Sequence, residues 1–471
     1  MKLFYKGDDF AQKILGSKKV SEGVVYRWSD YAFFHDYDGE RFLYHNLTKK
    51  MYQLEGEEFA AEPGARFTAE QITGDETLSK LVADRFLVPE DKNETDLYEG
   101  YCKIARAMRM KKQGYDFFTI LPTTACNARC VYCFEQGMKY VTMTDETVQQ
   151  TIDFIKKERN PKHPVNFSWF GGEPLIGKNI IDKICSAMRE AEIPYTSRMI
   201  SNGSLIETDL VQKMKDDWNM KMVQITLDGV EEEYNRRKNY YFNYESAYWH
   251  VLARIKMLNV NDITVAIRIN IDKGNIDGVL TMIGDLKNFI VKPEIVLFDL
   301  APLFDLQEST EGIAVWEKSF QIIDEIRRLG YRVSPHYSIG SPRIHFCMAD
   351  APYEALVVNP EGKLYNCEHT EKAYCLGDVW NGVTNAEAVK RLAAVEPAQE
   401  QCHGCPYLPE CTTFSGCPTV RVDCRYAAQK RAERALTLMI RNLKEKNLKA
   451  EEEKAEDENG DENTVISFED C

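Results

Sequence analysis

The sequence predicts an α/β protein whose middle is a partial (β/α)6 TIM-like barrel. A small α/β unit precedes it and a cysteine-rich unit follows. Three observations predict this. Apolar, strand-length runs alternate with amphipathic helical stretches from about residue 114 to residue 330, and such alternation folds as a parallel sheet covered by helices. Short polar motifs stand at the ends of five of the six runs. The fourteen cysteines are uneven: three lie at 126–133 and seven form a second set from Cys347 to Cys424.

Residues 1–97 read as the first unit. "EGVVYRWSDYAFFHDY", "ERFLYHNLT" and "KKMYQLE" are strand candidates, with "DYDGE" as the turn between the first two. Helices are expected near Glu55–Ala60 and over Ala69–Asp84, before the strand and charged linker "RFLVPEDKNE". An edge strand here could take an extended peptide by strand addition. A structural cap on the next domain is the other reading. Residues 98–113 read as a linker helix.

The barrel is expected over 114–330. Its strands are "DFFTILPT", "VNFSWF", "SRMIS", "MVQITL", "ITVAIRINI" and "IVLFDLA". Helices between and after them include Asp145–Lys157, Leu205–Asp217, Ala247–Leu258, Asn275–Phe289 and Val315–Leu329. Six units make an open barrel, short of the eight of a closed one. Residues 331–430 form the cysteine-rich unit. An amphipathic helix over Arg425–Lys446 is expected to pack on it, within a C-terminal segment 431–449. The tail, 450–471, should be disordered: from Glu451 onward it has ten acidic residues against one lysine, a net −9 of the chain's −15.

Composition narrows the function. The chain has 471 residues, 44% hydrophobic and 28% charged, as in soluble globular proteins. No apolar run reaches the roughly 18 residues of a membrane span. The N-terminus lacks the apolar core and cleavage site of a secretory signal, so a cytoplasmic protein is expected. Cysteines there are metal ligands or catalytic groups rather than disulfides. Outside the tail the chain is only mildly acidic, so no nucleic-acid surface is expected. Cys102, Cys185, Cys375 and Cys471 stand outside the compact motifs, and for Cys102 and Cys185 a small buried hydrophobe is the plain reading.

The chemistry starts at "TACNARCVYCFEQ", which spaces Cys126, Cys130 and Cys133 as C-x3-C-x2-C. A disulfide would leave one thiol over, and a closed zinc site wants four ligands. Three thiolates suit a [4Fe–4S] cluster with one iron open. Gly171-Gly172-Glu173-Pro174 ends the second strand, Ser201-Asn202-Gly203 the third and Leu227-Asp228-Gly229 the fourth, while Arg268 and Asn270 close the fifth. In parallel α/β folds these C-terminal ends line the ligand crevice. The glycines would let backbone approach a ligand. Glu173 could accept from a ligand ammonium, Thr226 and Arg268 could meet a carboxylate, and Ser201, Asn202 and Asn270 could hold ribose hydroxyls. A barrel-layer contact is the competing role for Arg268 and Asn270.

The cysteine run with Tyr132, followed by "GGEP", resembles the radical S-adenosylmethionine superfamily over about residues 114–330. The resemblance implies that the open iron binds the amino and carboxylate groups of S-adenosylmethionine. It also implies that one electron breaks the S–C5′ bond and that the resulting 5′-deoxyadenosyl radical abstracts substrate hydrogen. On that reading Tyr132, Gly171, Gly172, Glu173, Pro174, Ser201, Asn202, Thr226, Asp228, Arg268 and Asn270 serve the cofactor.

The second cysteine set, with Gly362-x4-Cys367 and Cys402-x2-Cys405-x5-Cys411-x5-Cys417, then Cys424, resembles a SPASM domain. That implies two auxiliary [4Fe–4S] clusters, three clusters in all. Cys402, Cys405, Cys411 and Cys424 would hold the outer one; Cys347, Cys367 and Cys417 would hold the first. Cys411 and Cys417 are separated by five residues, where the family usually has three. Seven thiols serve eight positions, so either Cys375 is the eighth ligand or one iron is open to a substrate thiolate, water or Glu368. The open iron is the preferred expectation. The N-terminal pattern "FLYHNLTKKMYQLE" resembles winged-helix-like peptide-recognition elements of peptide maturases, which bind a leader as an added strand.

The leading expectation is therefore a maturase of a ribosomally made peptide that installs a cross-link, above all a cysteine thioether. Its partners would be the precursor, held through its leader, and a reductant such as flavodoxin or ferredoxin. The second reading is a sulfatase-maturating, formylglycine-generating enzyme. In it the residue after the Gly-x4-Cys cysteine is an Asp base; here it is Glu368. A zinc-binding scaffold is the reading from another class. Smaller features take plain roles: His250, His336 and His345 as surface or core, Arg236-Arg237-Lys238 as a solvated helix start that could also touch the cofactor carboxylate, and "NYYFNYESAYW" as packing.

Overall fold

The structure is a computed structural model. It describes residues 1–54, 64–109, 114–241, 245–303, 310–334, 342, 351–371, 373–410, 429 and 432–447. The N-terminal unit contains β1 (Lys2–Tyr5), α1 (Asp9–Leu15), β2 (Val25–Trp28), β3 (Ala32–Tyr37), β4 (Glu40–His45), β5 (Met51–Leu54), β6 (Arg66–Thr68), α2 (Ala69–Thr73), α3 (Glu76–Ala83) and β7 (Leu87–Pro89). They make two antiparallel sheets, ordered β1-β5-β4-β3 and β6-β2-β7.

The run expected as one strand over 22–37 is thus two strands in different sheets. Arg27 binds Asp30 at 2.8 Å and the Ser29 hydroxyl donates to buried Glu94 at 2.7 Å. That polar knot ends β2 and turns the chain into the second sheet. Asp38 and Gly39 both take positive φ, 55° and 74°, as a tight hairpin turn requires. The helix expected over Ala69–Asp84 is divided near Gly74, and the Asp75 side chain caps its second half. The helix expected near Glu55–Ala60 lies outside the described residues.

α4 (Glu94–Arg109) begins inside the expected first unit and is no free linker. Its Tyr98, Tyr101, Cys102 and Ala105 share one core with Ala11 and Leu15 and with Cys402 and Leu408 of the cysteine-rich segment.

The barrel follows: β8 (Phe117–Ile120), α5 (Asp145–Glu158), β9 (Val165–Trp169), α6 (Lys178–Glu190), β10 (Tyr195–Ser201), α7 (Thr208–Asp216), β11 (Met220–Thr226), α8 (Glu231–Lys238), α9 (Ala247–Val260), β12 (Thr264–Ile271), α10 (Val279–Lys287), β13 (Val296–Pro302), α11 (Thr310–Arg328) and β14 (Arg332–Val333). All six expected strands are present and pair in parallel, in chain order, and β14 adds to them. Phe118, Ile120, Phe167, Trp169, Val223 and Ile225 lie in the core beneath the helices. By the two-residue period of a strand, Thr119, Ser168, Arg198, Gln224 and Arg268 face inward. Barrel interiors usually hold apolar layers; this one is polar.

β15 (Ala355–Val358) joins the free side of β8 in parallel, and β16 (Lys363–Tyr365), β17 (Cys375–Asp378) and β18 (Gly382–Val383) continue it antiparallel. One sheet of eleven strands results, from β14 to β18. The expected boundary at 330/331 therefore does not interrupt the sheet. α12 (Ala386–Ala393) follows.

The C-terminal helix is described over 432–447. It was expected on the cysteine-rich unit. Ala435, Leu436 and Ile440 cover Phe42, Tyr44 and Met51, because the sheet of β4 and β5 has an apolar face to bury. The acidic tail lies outside the described residues. Among those described, no helix is long and apolar enough to cross a membrane.

Candidate active site

Cys126, Cys130 and Cys133 sit on the loop that leaves β8, and two seams of backbone hold that loop. On one side Gly172 N–H donates to Thr123 at 3.2 Å and Glu173 N–H to Ala125 at 2.9 Å. A Cβ on Gly171 would stand 2.2 Å from the Thr123 carbonyl, and one on Gly172 would stand 2.3 Å from that of Ala125. Gly171 also has φ +118°. The backbone these glycines admit is the segment entering the cysteine loop. On the other side Arg129 N–H donates to Lys238 and Asn239, and Val131 N–H to Arg237, each at 3.0 Å.

Glu173 lies at the floor of the crevice, fully buried. Its carboxylate accepts from Leu175 N–H at 3.1 Å, the Ser201 hydroxyl at 2.9 Å and Asn202 N–H at 2.8 Å. Burial still lifts its pKa to about 7, against those three donors and Lys238. Pro174 opens a short 3-10 turn after it. The Asn202 side chain donates to Asn127 at 2.7 Å. Ser201 and Asn202 are thus built into the protein's own network, and Asn127 joins the site without a signal in its sequence context.

Asp228 is buried and accepts from the Tyr132 hydroxyl, from Asn270 N–H at 3.1 Å and from Lys238 at 3.3 Å. Burial opposes the Lys238 charge, but Asp228 and Tyr132 outweigh it and hold the ammonium well above its usual range. Arg237 grips Asp272 with both arms, at 2.8 and 2.7 Å. The expectation of a solvated helix start is wrong for both. Arg237 and Lys238 are buried at the end of α8, and only Arg236 is exposed.

Thr226 and Arg268 are register partners on β11 and β12. Arg268 spends its head on Asp299 and, at 3.3 Å, on Asn270. Asp299 on β13 supplies a carboxylate directly opposite Arg268.

The three thiols sense one another electrostatically, and burial, the largest effect, pushes Cys126 up to about 11 and raises Cys133. Binding iron would have to displace those protons. Among the described residues no three His, Cys, Asp or Glu side chains close around a single metal ion. The donor set fits a cluster: three soft ligands on one loop, with Cys126 Sγ accepting Ala128 N–H at 3.4 Å. Of the second set, Cys367 and Cys402 are buried and Cys405 half-buried. Cys347, Cys411, Cys417 and Cys424 lie outside the described residues, as do His336 and His345. Cys375 is exposed on β17. Cys102 and Cys185 are buried hydrophobes as expected, and His250 meets the Ser204 carbonyl at 2.9 Å.

Phe134, next to Cys133, packs on His369 with ring centroids 4.0 Å apart and stacks on Phe170 at 6.2 Å. This brings Cys367 and half-buried Glu368, 3.7 Å from each other, beside the cysteine loop. Neither Phe134 nor His369 was singled out from sequence, since an aromatic and a histidine far apart in the chain give no joint signal.

Residues 120–286 match the model of the Radical SAM superfamily. An uncharacterized protein of Methanocaldococcus jannaschii is 24% identical over 271 residues, 56% of this chain and 89% of its own. The GTP 3′,8-cyclase of Clostridium botulinum is 29% identical over 123 residues, 25% of this chain and 36% of the cyclase. Among solved structures, native anSMEcpe with bound AdoMet has a TM-score of 0.54 at 15% identity, covering 69% of this chain and 98% of that one. Native anSMEcpe with bound AdoMet and the Kp18Cys peptide gives 0.53 at 17%, covering 69% and 99%. At these identities the likeness is one of fold.

Proposed function

We propose, from the match of residues 120–286 to the Radical SAM superfamily model, that this chain is a peptide maturase that cross-links a precursor, with a cysteine thioether as product. The observation that carries this reading is the contact of Phe134 with His369. It sets Cys367 and Glu368, from the cysteine-rich segment, against the loop of Cys126, Cys130 and Cys133. A peptide crystallised with a protein of similar fold also supports it.

Cys126, Cys130 and Cys133 would hold the [4Fe–4S] cluster, which with S-adenosylmethionine supplies hydrogen-abstraction chemistry. Glu173 would accept the ligand's ammonium, and Asp228 with Lys238 keeps Tyr132 and the cysteine loop in position. Glu368 would take a proton from the substrate. Cys367, Cys402 and Cys405, with Cys347, Cys411, Cys417 and Cys424, would hold two auxiliary clusters, completed by Cys375 or an open iron. The N-terminal unit would bind the leader along an edge such as β6, whose Arg66 and Thr68 are exposed. Flavodoxin or ferredoxin would deliver electrons.

The test is anaerobic incubation of the reconstituted full chain with S-adenosylmethionine, reductant and synthetic cysteine-containing peptides. 5′-Deoxyadenosine together with a peptide lighter by two hydrogen atoms supports the proposal. Loss of the cysteine sulfur would instead indicate formylglycine formation, the second reading. Zinc in place of iron would remove both.

A further inference from the structure

Arg129 stands in the spacer between Cys126 and Cys130, and its side chain turns back onto its own loop. Nη1 donates to the Cys126 carbonyl at 3.1 Å and to the Ala128 carbonyl at 2.6 Å, and Nη2 donates to the Tyr140 hydroxyl. The guanidinium carbon also lies 4.0 Å from the centre of the Tyr241 ring and 5.1 Å from that of Tyr140. A planar guanidinium suits both tasks, since it stacks on rings and donates in a fixed fork.

Two observations make this more than a surface contact. Tyr140 and Tyr241 are 54% and 61% exposed, so burial does not hold their rings in place. Backbone pairing with the cysteine loop brings them there instead: Thr124 N–H donates to Val141 at 2.9 Å, the Thr124 hydroxyl donates to Lys139 at 2.8 Å, and Tyr241 N–H donates to Asn127 at 3.0 Å. The second observation is charge. The cations at the end of α8 each meet an acid: Arg236 meets Glu233, Arg237 meets Asp272 and Lys238 meets Asp228. Arg129 differs. Among the described residues its hydrogen-bond acceptors are two carbonyls and a phenol, and it pairs with no carboxylate. Arg129 is half-buried, and its charge lies on a loop whose three thiols must become anionic to bind iron.

We propose that Arg129 is a positioning residue for the iron–sulfur site. It folds the turn from Cys126 to Cys130 before metal arrives, and it keeps a positive charge beside the thiolates that favours the reduced cluster. The inference rests on the reading that Cys126, Cys130 and Cys133 hold a cluster. A turn already ordered by Arg129 spares the ligands conformational entropy that they would otherwise lose on binding. Reduction adds one negative charge to the site, and a fixed cation nearby stabilises that state more than the oxidised one.

The test compares the reconstituted full chain with its Arg129→Gln, Arg129→Lys and Tyr241→Leu variants, without substrate. Two quantities are read anaerobically: the rate of iron release to a chelator, and the midpoint potential from an EPR-monitored redox titration. The cluster on this loop is identified as the signal that the Cys126→Ala, Cys130→Ala, Cys133→Ala triple variant lacks. Arg129→Gln should release that iron about ten-fold faster. Its midpoint should fall by about 59 mV, a ten-fold change in a one-electron equilibrium. Arg129→Lys keeps the charge without the fork, so it should release iron faster while holding most of the wild-type potential. Tyr241→Leu leaves the charge in place and should behave as Arg129→Lys does. Equal potentials in wild type and Arg129→Gln would overturn the charge role, and equal release rates would overturn the folding of the turn; either leaves the cluster reading standing. A wild-type protein that takes up no iron on this loop would overturn both the proposal and that reading.

Discussion

The Lys238 ammonium lies 3.3 Å from the Asp228 carboxylate, both buried, and donates at 2.8 Å to the Tyr132 hydroxyl, which in turn donates to Asp228. The Lys238 carbonyl also receives Arg129 N–H, so this pair fastens the end of α8 to the cysteine loop. Removing one partner strands a buried charge, at a cost of roughly 3–5 kcal/mol. Lys238→Met should lose stability of that order in urea unfolding and retain less iron on the loop. The double variant with Asp228→Asn should recover part of the loss, because the two sites are coupled. A loss below about 1 kcal/mol for Lys238→Met would contradict the role given to the pair.

Glu173 gives a pH prediction. Its folded pKa is raised to about 7 from 4.5, chiefly by burial. A raised carboxyl favours folding in its protonated form. Its contribution is therefore present below the unfolded value of 4.5 and is lost as pH rises through about 7. Between pH 5 and pH 8 the wild-type protein, free of ligand, should lose roughly 2–3 kcal/mol at this group. Glu173→Gln should lack that loss. Parallel pH–stability curves for the two proteins would show that Glu173 is ionised across the range.

Iron analysis tests the cysteine sets. Three four-iron clusters give about twelve irons per chain, and the Cys126→Ala, Cys130→Ala, Cys133→Ala triple variant should fall to about eight. That variant should also lose S-adenosylmethionine cleavage. A wild-type value near four would leave the 347–424 cysteines without clusters and withdraw the auxiliary sites.

The parallel strands were legible because each is a short apolar run with a helix behind it, and strand order then followed from chain order. The crevice was legible because its motifs sit at strand ends. The roles inside it were less so. Gly171 and Gly172 signalled close backbone approach, but sequence does not say whether the approaching chain is a ligand or Thr123–Ala125. Arg237 and Lys238 looked solvated because a run of three cations usually is; only the fold brings Asp272 and Asp228 to meet them. The pairing of Arg268 with Asp299 was hidden because Asp299 sits on the next strand, where no local pattern links the two. The break at Ser29 depends on Glu94, a partner far along the chain. Each of these features depends on a contact distant in the chain, which local periodicity does not encode.

The last prediction concerns the first unit's attachment. Lys49 is completely buried, has φ +60°, donates to Asn46 at 2.8 Å and pairs with Glu410. Asn46 donates to the Pro406 carbonyl at 2.8 Å and the Tyr98 hydroxyl to that of Pro409 at 3.3 Å. The segment from Cys402 to Glu410 is therefore seated on the N-terminal unit, and Tyr31, Leu47 and Tyr98 share its core. A deletion of residues 1–97 would uncover that core as well as remove a leader site. Lost precursor binding in such a truncation would not by itself identify a leader reader; single changes on β6 would. Lys49→Met is the sharper probe of the attachment. It leaves the Glu410 charge without its ammonium, at a cost of roughly 3 kcal/mol. It should release about four irons faster than wild type under chelator challenge, while S-adenosylmethionine cleavage persists, because the loop of Cys126, Cys130 and Cys133 is held by other residues. Equal rates of iron release in the two proteins would mean that this seat does not support a cluster at Cys402 and Cys405.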